Sequence, residues 1–167
     1  RGFCLTSYAL RLKKEVKLGR ILSLMTFSPL VGAIIIMFAP KNNEKLIKIL
    51  ALIFSGISLF LAVIIYINFD KSGTGLQFVE KAKWIESIGA SYYLGIDGVS
   101  FPLVILTPFI TFIAIIASWK VSLRPKEYFG FMLLLEVGMI GVFLALDFIL
   151  FYIFWELVLL PMYFLIG

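Results

Sequence analysis

The sequence predicts an all-α fold, a polytopic membrane helix bundle with about five transmembrane helices. Of the 167 residues, 62% are hydrophobic and only 15% are charged, and the mean hydropathy is +1.06. The apolar residues fall into runs of roughly twenty, the length at which a helix crosses a bilayer. A soluble core of this size does not need so many apolar residues. The formal charge of +5 does not indicate nucleic-acid binding, because the Lys and Arg residues lie between the apolar runs and form no basic face.

Residues 1–20 are predicted to form a basic N-terminal tail, with six Lys or Arg residues and a single acid, Glu15. We interpret this tail as a juxtamembrane segment. A transit peptide is an alternative, because such peptides are basic and poor in acids, and a non-native leader is another. Since the chain starts with Arg1 and stops at Gly167 directly after an apolar run, we expect it to be a piece of a longer protein.

Residues 21–69 contain the first two predicted transmembrane helices, at about 21–39 and 47–69. Pro29 and Gly32 lie inside the first, where membrane helices tolerate them, and Pro40 ends it. The polar turn between the two helices is short. The two helices therefore form a hairpin.

Residues 70–98 form the only long polar stretch, and we predict an ordered extramembrane loop there. It opens with a flexible turn at 71–75 and continues with aromatic and small residues, which favour a short amphipathic helix or strand at the membrane interface. We interpret Trp84, Tyr92 and Tyr93 as interfacial anchors rather than ligand contacts.

Residues 99–167 contain the third to fifth helices, predicted at about 99–119, 128–146 and 147–167. We expect Asp97 to cap the third helix and Pro108 to kink it. The connection at Asp147 is so short that the fourth and fifth helices must be antiparallel neighbours. Five spans place the N-terminus, the 70–98 loop and Asp147 on one side of the membrane, and the turns at 40–48 and 120–127 on the other.

The short turns hold six basic residues, so the positive-inside rule places them in the cytoplasm or its organellar equivalent. These residues are Lys41, Lys45, Lys48, Lys120, Arg124 and Lys126. The basic tail opposes this orientation, because its six Lys or Arg residues lie on the other side of the membrane. They nearly cancel the excess of basic residues on the side of the short turns.

Two acids lie inside predicted membrane helices, and ionisable residues at such positions are costly and usually functional. Glu136 lies eleven residues before Asp147 and Glu156 nine after it, so both lie roughly 14–16 Å from the same membrane face at 1.5 Å per residue. Removal from water favours the neutral form of a carboxyl group, so either acid can hold a proton and exchange it. The alternative is a structural acid paired with Lys or Arg.

Pro161 follows Glu156 by five residues and deprives the Leu157 carbonyl of its helical donor. That carbonyl could accept the proton of the acid or hold a water, or the proline could only bend the helix for packing.

Other chemistries are not indicated. The chain has no histidine and a single cysteine, Cys4, which excludes a His-ligated metal and an intrachain disulfide. No Gly-rich phosphate loop, metal-ligand spacing or nucleophile constellation is recognisable; the glycines at 95 and 98 precede a membrane helix.

The last forty residues resemble the antiporter-like chain M of the proton-pumping NADH:quinone oxidoreductase, respiratory complex I, called subunit 4 in mitochondria. The resemblance covers about residues 21–167. It is carried by Glu127-Tyr128-Phe129, Leu135-Glu136-Val137-Gly138-Met139-Ile140-Gly141-Val142-Phe143, Leu146-Asp147, Phe154-Trp155-Glu156 and Leu160-Pro161-Met162-Tyr163-Phe164-Leu165-Ile166-Gly167. Residues 94–100 and 22–30 support it.

The resemblance implies an antiporter-like fold of about fourteen helices with an inverted repeat, of which this chain has five. It implies that Glu156 transfers protons in a channel and pairs with a lysine on a broken helix, which this sequence does not include. Glu136 matches a second glutamate present in many members and is the second proton-transfer candidate.

The resemblance assigns no cofactor to this chain, because NADH, FMN, iron–sulfur clusters and quinone bind to other subunits. The implied partners are other membrane-arm subunits, the lipid bilayer and protons, without nucleic acid. The implied membrane is the bacterial plasma membrane or the mitochondrial inner membrane. Two other functions stay open: a subunit of a multi-chain cation/proton antiporter, against which Leu160-Pro161-Met162-Tyr163 argues, and a non-functional membrane fragment.

Overall fold

The structure is a computed structural model that describes residues 20–40, 43–70, 75–85 and 89–166. Within these residues it contains five long helices and one pair of strands. They are α1 (Ile21–Phe38), α2 (Glu44–Asn68), β1 (Gln77–Ile85), β2 (Ala90–Ile96), α3 (Ser100–Ala117), α4 (Pro125–Leu144) and α5 (Phe148–Ile166). All five helices are long and apolar enough to cross a membrane. The predicted five-helix membrane bundle is therefore confirmed, and the chain is an integral membrane protein.

The helix starts differ from the predicted ones by a few residues, because local caps decide them. Helix α2 begins at Glu44, since the side chain of Asn43 accepts a hydrogen bond from the Leu46 N–H at 3.4 Å. Helix α4 begins at Pro125, whose fixed φ suits the first helical position. Arg124 precedes it in the left-handed conformation, with φ of 48°.

The predicted cap of α3 by Asp97 is confirmed. Its Oδ1 accepts hydrogen bonds from the N–H groups of Val99 at 3.2 Å and Ser100 at 2.6 Å. In return, the Ser100 hydroxyl oxygen accepts from the Asp97 N–H at 3.1 Å. The bonds from Ser100 are the largest cause that lowers the pKa of Asp97, because they stabilise its ionised form.

The 70–98 region contains an antiparallel hairpin, β1 paired with β2, so the ordered element there is a strand pair rather than a helix. Most of the predicted flexible turn, residues 71–74, and residues 86–88 lie outside the described residues. Trp84 is half exposed, as an interfacial anchor would be. Tyr93 lies beneath the Lys81 ammonium group, 5.0 Å from the ring centroid.

Glu80 of the hairpin caps the N-terminus of α1. Its carboxylate accepts hydrogen bonds from the N–H groups of Leu22 at 2.8 Å and Ser23 at 3.2 Å, and from the Ser23 hydroxyl. The Tyr92 hydroxyl is 2.7 Å from the same Ser23 oxygen. A negative charge at this helix end is favourable, since it meets unpaired N–H groups and the positive end of the helix dipole.

Asp147 joins the hairpin to the α4–α5 connection. Its Oδ2 accepts from the N–H and hydroxyl of Ser91 at 3.0 and 2.9 Å, while its Oδ1 accepts from the Ile149 N–H at 2.9 Å at the start of α5. The bonds from Ser91 are the main reason that the pKa of Asp147 is lowered. The carboxylate is therefore ionised at neutral pH, and its stabilising effect is lost only as the pH falls through that lowered value. The Leu146 N–H also donates to the Tyr93 carbonyl at 2.9 Å.

Helix α4 lies at the centre of the bundle and packs against the other four helices. Its approach to α5 depends on glycine. A Cβ atom at Gly138 would lie 2.6 Å from Val158 Cγ2 and 3.2 Å from the Val158 nitrogen, and one at Gly141 would fall on the Phe154 ring. Small residues of this kind let membrane helices pack backbone to backbone.

We predict that Gly138→Ala destabilises the chain by about 1–3 kcal/mol, the usual effect of overpacking. Gly130→Ala is the matched control on the same helix, because its added Cβ would lie 3.9 Å from the nearest atom; we expect it to stabilise α4 by about 0.5–1 kcal/mol. Thermal unfolding of the detergent-solubilised protein measures both. Equal shifts of the two variants would contradict the packing argument.

We also predict that Glu80→Ala costs about 1.5–3 kcal/mol per charge-assisted hydrogen bond lost, because the buried N-terminus of α1 loses its acceptor. Glu127→Ala is the control, since Glu127 is half exposed and its contact with Arg124 is 3.7 Å long, a pair worth at most about 1 kcal/mol. The same unfolding measurement compares them. A Glu80→Ala protein as stable as the control would show that the hairpin does not hold α1.

Candidate functional site

Glu136 lies near the middle of α4 and is fully buried. Helix α4 is also the most buried of the five helices: 44% of the residues in its membrane-spanning stretch are buried, compared with 17% for α5. Two fully buried serines of α2, Ser55 and Ser58, lie beside the Glu136 carboxyl group. The structure thus places a carboxyl group and two hydroxyls together between α2 and α4.

Ser55 and Glu136 lie at the same depth in the membrane, as their contact requires. Both α2 and α4 begin at the face that carries the short turns. Ser55 lies eleven residues after Glu44, and Glu136 eleven after Pro125, so each is about 16 Å from that face at 1.5 Å per residue. The Glu136 layer is therefore near mid-membrane.

The carboxyl group of Glu136 has no hydrogen-bond partner among the described residues, and neither has the Ser55 hydroxyl. Although the two serines are neighbours, neither hydroxyl has hydrogen-bond geometry with the carboxyl. The Ser58 hydroxyl donates instead to the Met25 carbonyl, at 3.5 Å. The alternative that Glu136 pairs with Lys or Arg finds no support in the part of the chain that the structure describes.

Apolar clusters lie on both sides of this polar layer. The cluster nearer the short turns contains Ile36, Ala39, Ile47, Ala51, Ile115, Phe129 and Leu133. The cluster nearer the hairpin includes Leu22, Met25, Ala62, Ile65, Val137, Ile140 and Leu144. On α2 and on α4 alike, the polar residues stand between the two clusters, so protein side chains separate the Glu136 carboxyl from both membrane faces.

Glu156 occupies a different kind of position. Its side chain is exposed on the outer face of α5, in a shallow groove to which only α5 residues contribute: Ile153, Glu156, Leu157, Leu159, Leu160, Tyr163 and Phe164. The Tyr152 side chain, one turn earlier, lies next to it. Pro161 is buried within α5, and the helix continues past it to Ile166.

The structure does not bring the two acids together. Their helices are neighbours, as the sequence predicted, but Phe154 and Val158 are the residues of α5 that contact the glycines of α4. Glu156 lies between them in sequence and hence on the opposite side of the helix, whereas Glu136 faces α2. A direct proton pair between the two carboxyl groups is therefore not formed within the described residues.

Sequence reasoning missed Ser55 and Ser58. The available signal was a pair of hydroxyl residues with an i, i+3 spacing in the middle of a 25-residue apolar helix, a spacing that puts both on one face. That face can be assigned to a neighbouring helix only when the packing of the bundle is known.

A family model described as NADH-ubiquinone oxidoreductase chain 4, amino terminus, matches residues 23–147. Glu136 lies inside the matched residues and Glu156 beyond them.

Relatives agree with this match. The chain is 43% identical over 144 residues to NAD(P)H-quinone oxidoreductase chain 4 of Prochlorococcus marinus (strain NATL2A), covering 85% of this chain and 27% of that protein. It is 37% identical over 148 residues to F(420)H(2) dehydrogenase subunit M of Methanosarcina mazei, covering 88% of this chain and 30% of that protein. The chain spans about a quarter of the length of the curated relatives it matches.

A solved structure shares the fold. A chain of the membrane-bound sulfane sulfur reductase, an archaeal respiratory membrane complex, matches with a TM-score of 0.70 at 20% sequence identity. The match covers 84% of this chain and 22% of that one. At this identity the likeness concerns the fold of the helix bundle alone.

Proposed function

The chain belongs to the NADH-ubiquinone oxidoreductase chain 4 family, and from this premise we propose that it is part of a membrane-arm subunit that translocates protons in a quinone oxidoreductase complex. The observation that carries the proposal is a carboxyl group at mid-membrane depth that is fully buried and has no hydrogen-bond partner among the described residues. The family match favours this function over a subunit of a cation/proton antiporter.

Glu136 suits proton exchange for a simple reason. A carboxylate that serves the fold is stabilised by donors, as Glu80 and Asp147 are. An unpaired, dehydrated carboxylate is costly, and such a group reduces the cost by holding a proton. We propose that Glu136 takes up and releases a proton as its surroundings change.

Glu156 is the second proton-transfer residue in this proposal. It is a polar group on an otherwise apolar helix face, beside the Leu157 carbonyl that Pro161 leaves without a helical donor. In a membrane, a charged side chain on such a face needs a partner of opposite charge or a polar cavity. We propose that further helices of the full-length subunit cover this face and supply a cationic partner.

The redox chemistry of the complex resides elsewhere in this proposal. None of the described residues form a group of His, Cys, Asp or Glu that could hold a metal ion. We propose that NADH, FMN, iron–sulfur clusters and quinone bind to other subunits, as the resemblance to complex I implies. The proposed partners are other membrane-arm subunits, lipid and protons. Electron transfer would then drive proton movement here from a distance.

We predict that Glu156→Gln, introduced into the complete gene, depresses donor-driven proton pumping and the coupled quinone reduction several-fold, because the amide cannot carry a proton. Glu136→Gln should depress both less. Quinone reduction and fluorescence quenching by the pH gradient in inverted membrane vesicles measure the two activities.

Glu127→Gln is the control, since it makes the same chemical change at a half-exposed position in the first turn of α4. It should leave both activities unchanged. Proton pumping and quinone reduction in the Glu156→Gln complex that both equal those of the unmutated complex would contradict its assignment.

A further inference from the structure

Among the described residues, three buried polar atoms between α2 and α4 have no hydrogen-bond partner: both carboxyl oxygens of Glu136 and the Ser55 hydroxyl oxygen. Glu136 and Ser55 are fully buried, and Ser55 lies beside the carboxyl group. A buried polar group without a hydrogen-bond partner destabilises the folded state. Three such atoms in one place, on two helices that pack together, point to a shared ligand.

We propose that Ser55 and Glu136 hold an internal water molecule between α2 and α4, with Ser58 as a third polar neighbour. Water suits this site because it can donate to the carboxyl and accept from the serine, and internal waters typically make about three hydrogen bonds to groups that would otherwise be unsatisfied. The Ser58 hydroxyl, whose bond to the Met25 carbonyl is long at 3.5 Å, can turn toward the same water.

The surroundings restrict this water to one place. Ala51 and Ala62 flank the two serines on the buried face of α2, while Leu133 and Val137 flank Glu136 on α4. These side chains are apolar and offer a water no partners. Within the described residues, the site is therefore a polar layer between two apolar clusters.

The water belongs to Glu136 and not to Glu156. The α4–α5 contact places Gly138 and Gly141 directly against Val158 and Phe154, so the two helices pack closely there. In the proposed function, Glu136 then exchanges its proton on the α2 side of α4. This last step rests on the proposed function, whereas the water site itself does not.

The test is a cryo-EM structure of the intact complex at a resolution that shows ordered waters. We expect a density peak within about 2.6–3.2 Å of the Ser55 hydroxyl and a Glu136 carboxyl oxygen. In the Ser55→Val complex, whose added methyl groups fill the site, the peak should be absent. Resolved side chains without a peak, or a direct hydrogen bond between Ser55 and Glu136, would overturn the proposal. So would a peak whose height depends on Na⁺ in the buffer, because it would assign a cation.

Thermal unfolding of the same complexes gives a second readout. If the Ser55 hydroxyl binds water, Ser55→Ala should lower the unfolding temperature and Ser55→Thr should retain it. The effect of Ser55→Ala should shrink in a Glu136→Gln background, because residues that share a ligand are not additive. If the hydroxyl were dry, Ser55→Ala would be neutral or stabilising, and the proposal would fail.

Ser118→Ala is the matched control, since the Ser118 hydroxyl is 2.9 Å from the Tyr128 hydroxyl and lies near the short turns, away from Ser55, Ser58 and Glu136. Its effect should be independent of Glu136. The water site and the proposed function can fail separately. A water peak in the density map together with normal pumping in the Glu136→Gln complex would support the water site and contradict the proton-transfer role of Glu136.

Discussion

Inside an apolar helix bundle, a polar group without a hydrogen-bond partner is costly, and this constraint distinguishes Glu136 from the acids that bind helix ends. Glu80, Asp97 and Asp147 each accept two or more hydrogen bonds at a helix end. These bonds explain why each of the three acids stabilises the fold. Glu136 has no such bonds although it is the most buried of them. Stability alone does not explain its presence, because an apolar residue would fit the interior at a lower cost.

The contact between α4 and α5 decides what each membrane acid can do. Gly138 and Gly141 allow Phe154 and Val158 to approach the α4 backbone, and helical geometry then turns Glu156 away from the bundle. One acid is enclosed by the chain and the other lies on its outer face. In the proposed function their surroundings therefore differ: the described residues beside Glu136 belong to this bundle, whereas Glu156 needs a partner that packs against α5.

The helices were predictable from sequence because an apolar run of about twenty residues has one stable form in a bilayer. The cap at Asp97 was predictable too, since it depends on residues close in sequence. The helical rise predicted the depth of Glu136 and Glu156 in the membrane, but it did not predict which neighbouring helix each side chain faces. Which side of α4 meets α2 depends on packing among four neighbouring helices. The sequence alone therefore does not predict that Ser55 and Ser58 lie beside Glu136. The bonds of Glu80 to residues 57 and 58 positions away depend equally on tertiary structure.

The ends of the helices also bear on how a proton can reach Glu136. At one end, Glu80 fixes the start of α1, and Asp147 and Leu146 fasten the α4–α5 connection to the hairpin. At the other end, the Lys126 ammonium group donates to the Ala39 carbonyl at 2.9 Å, so the start of α4 is bonded to the end of α1. Helix α4 is thus held at both ends, and a sliding movement that exposes Glu136 would break several charged hydrogen bonds at once. In the proposed function, exchange through the proposed water and the rotation of serine hydroxyls requires none of these bonds to break, so it is the less costly route.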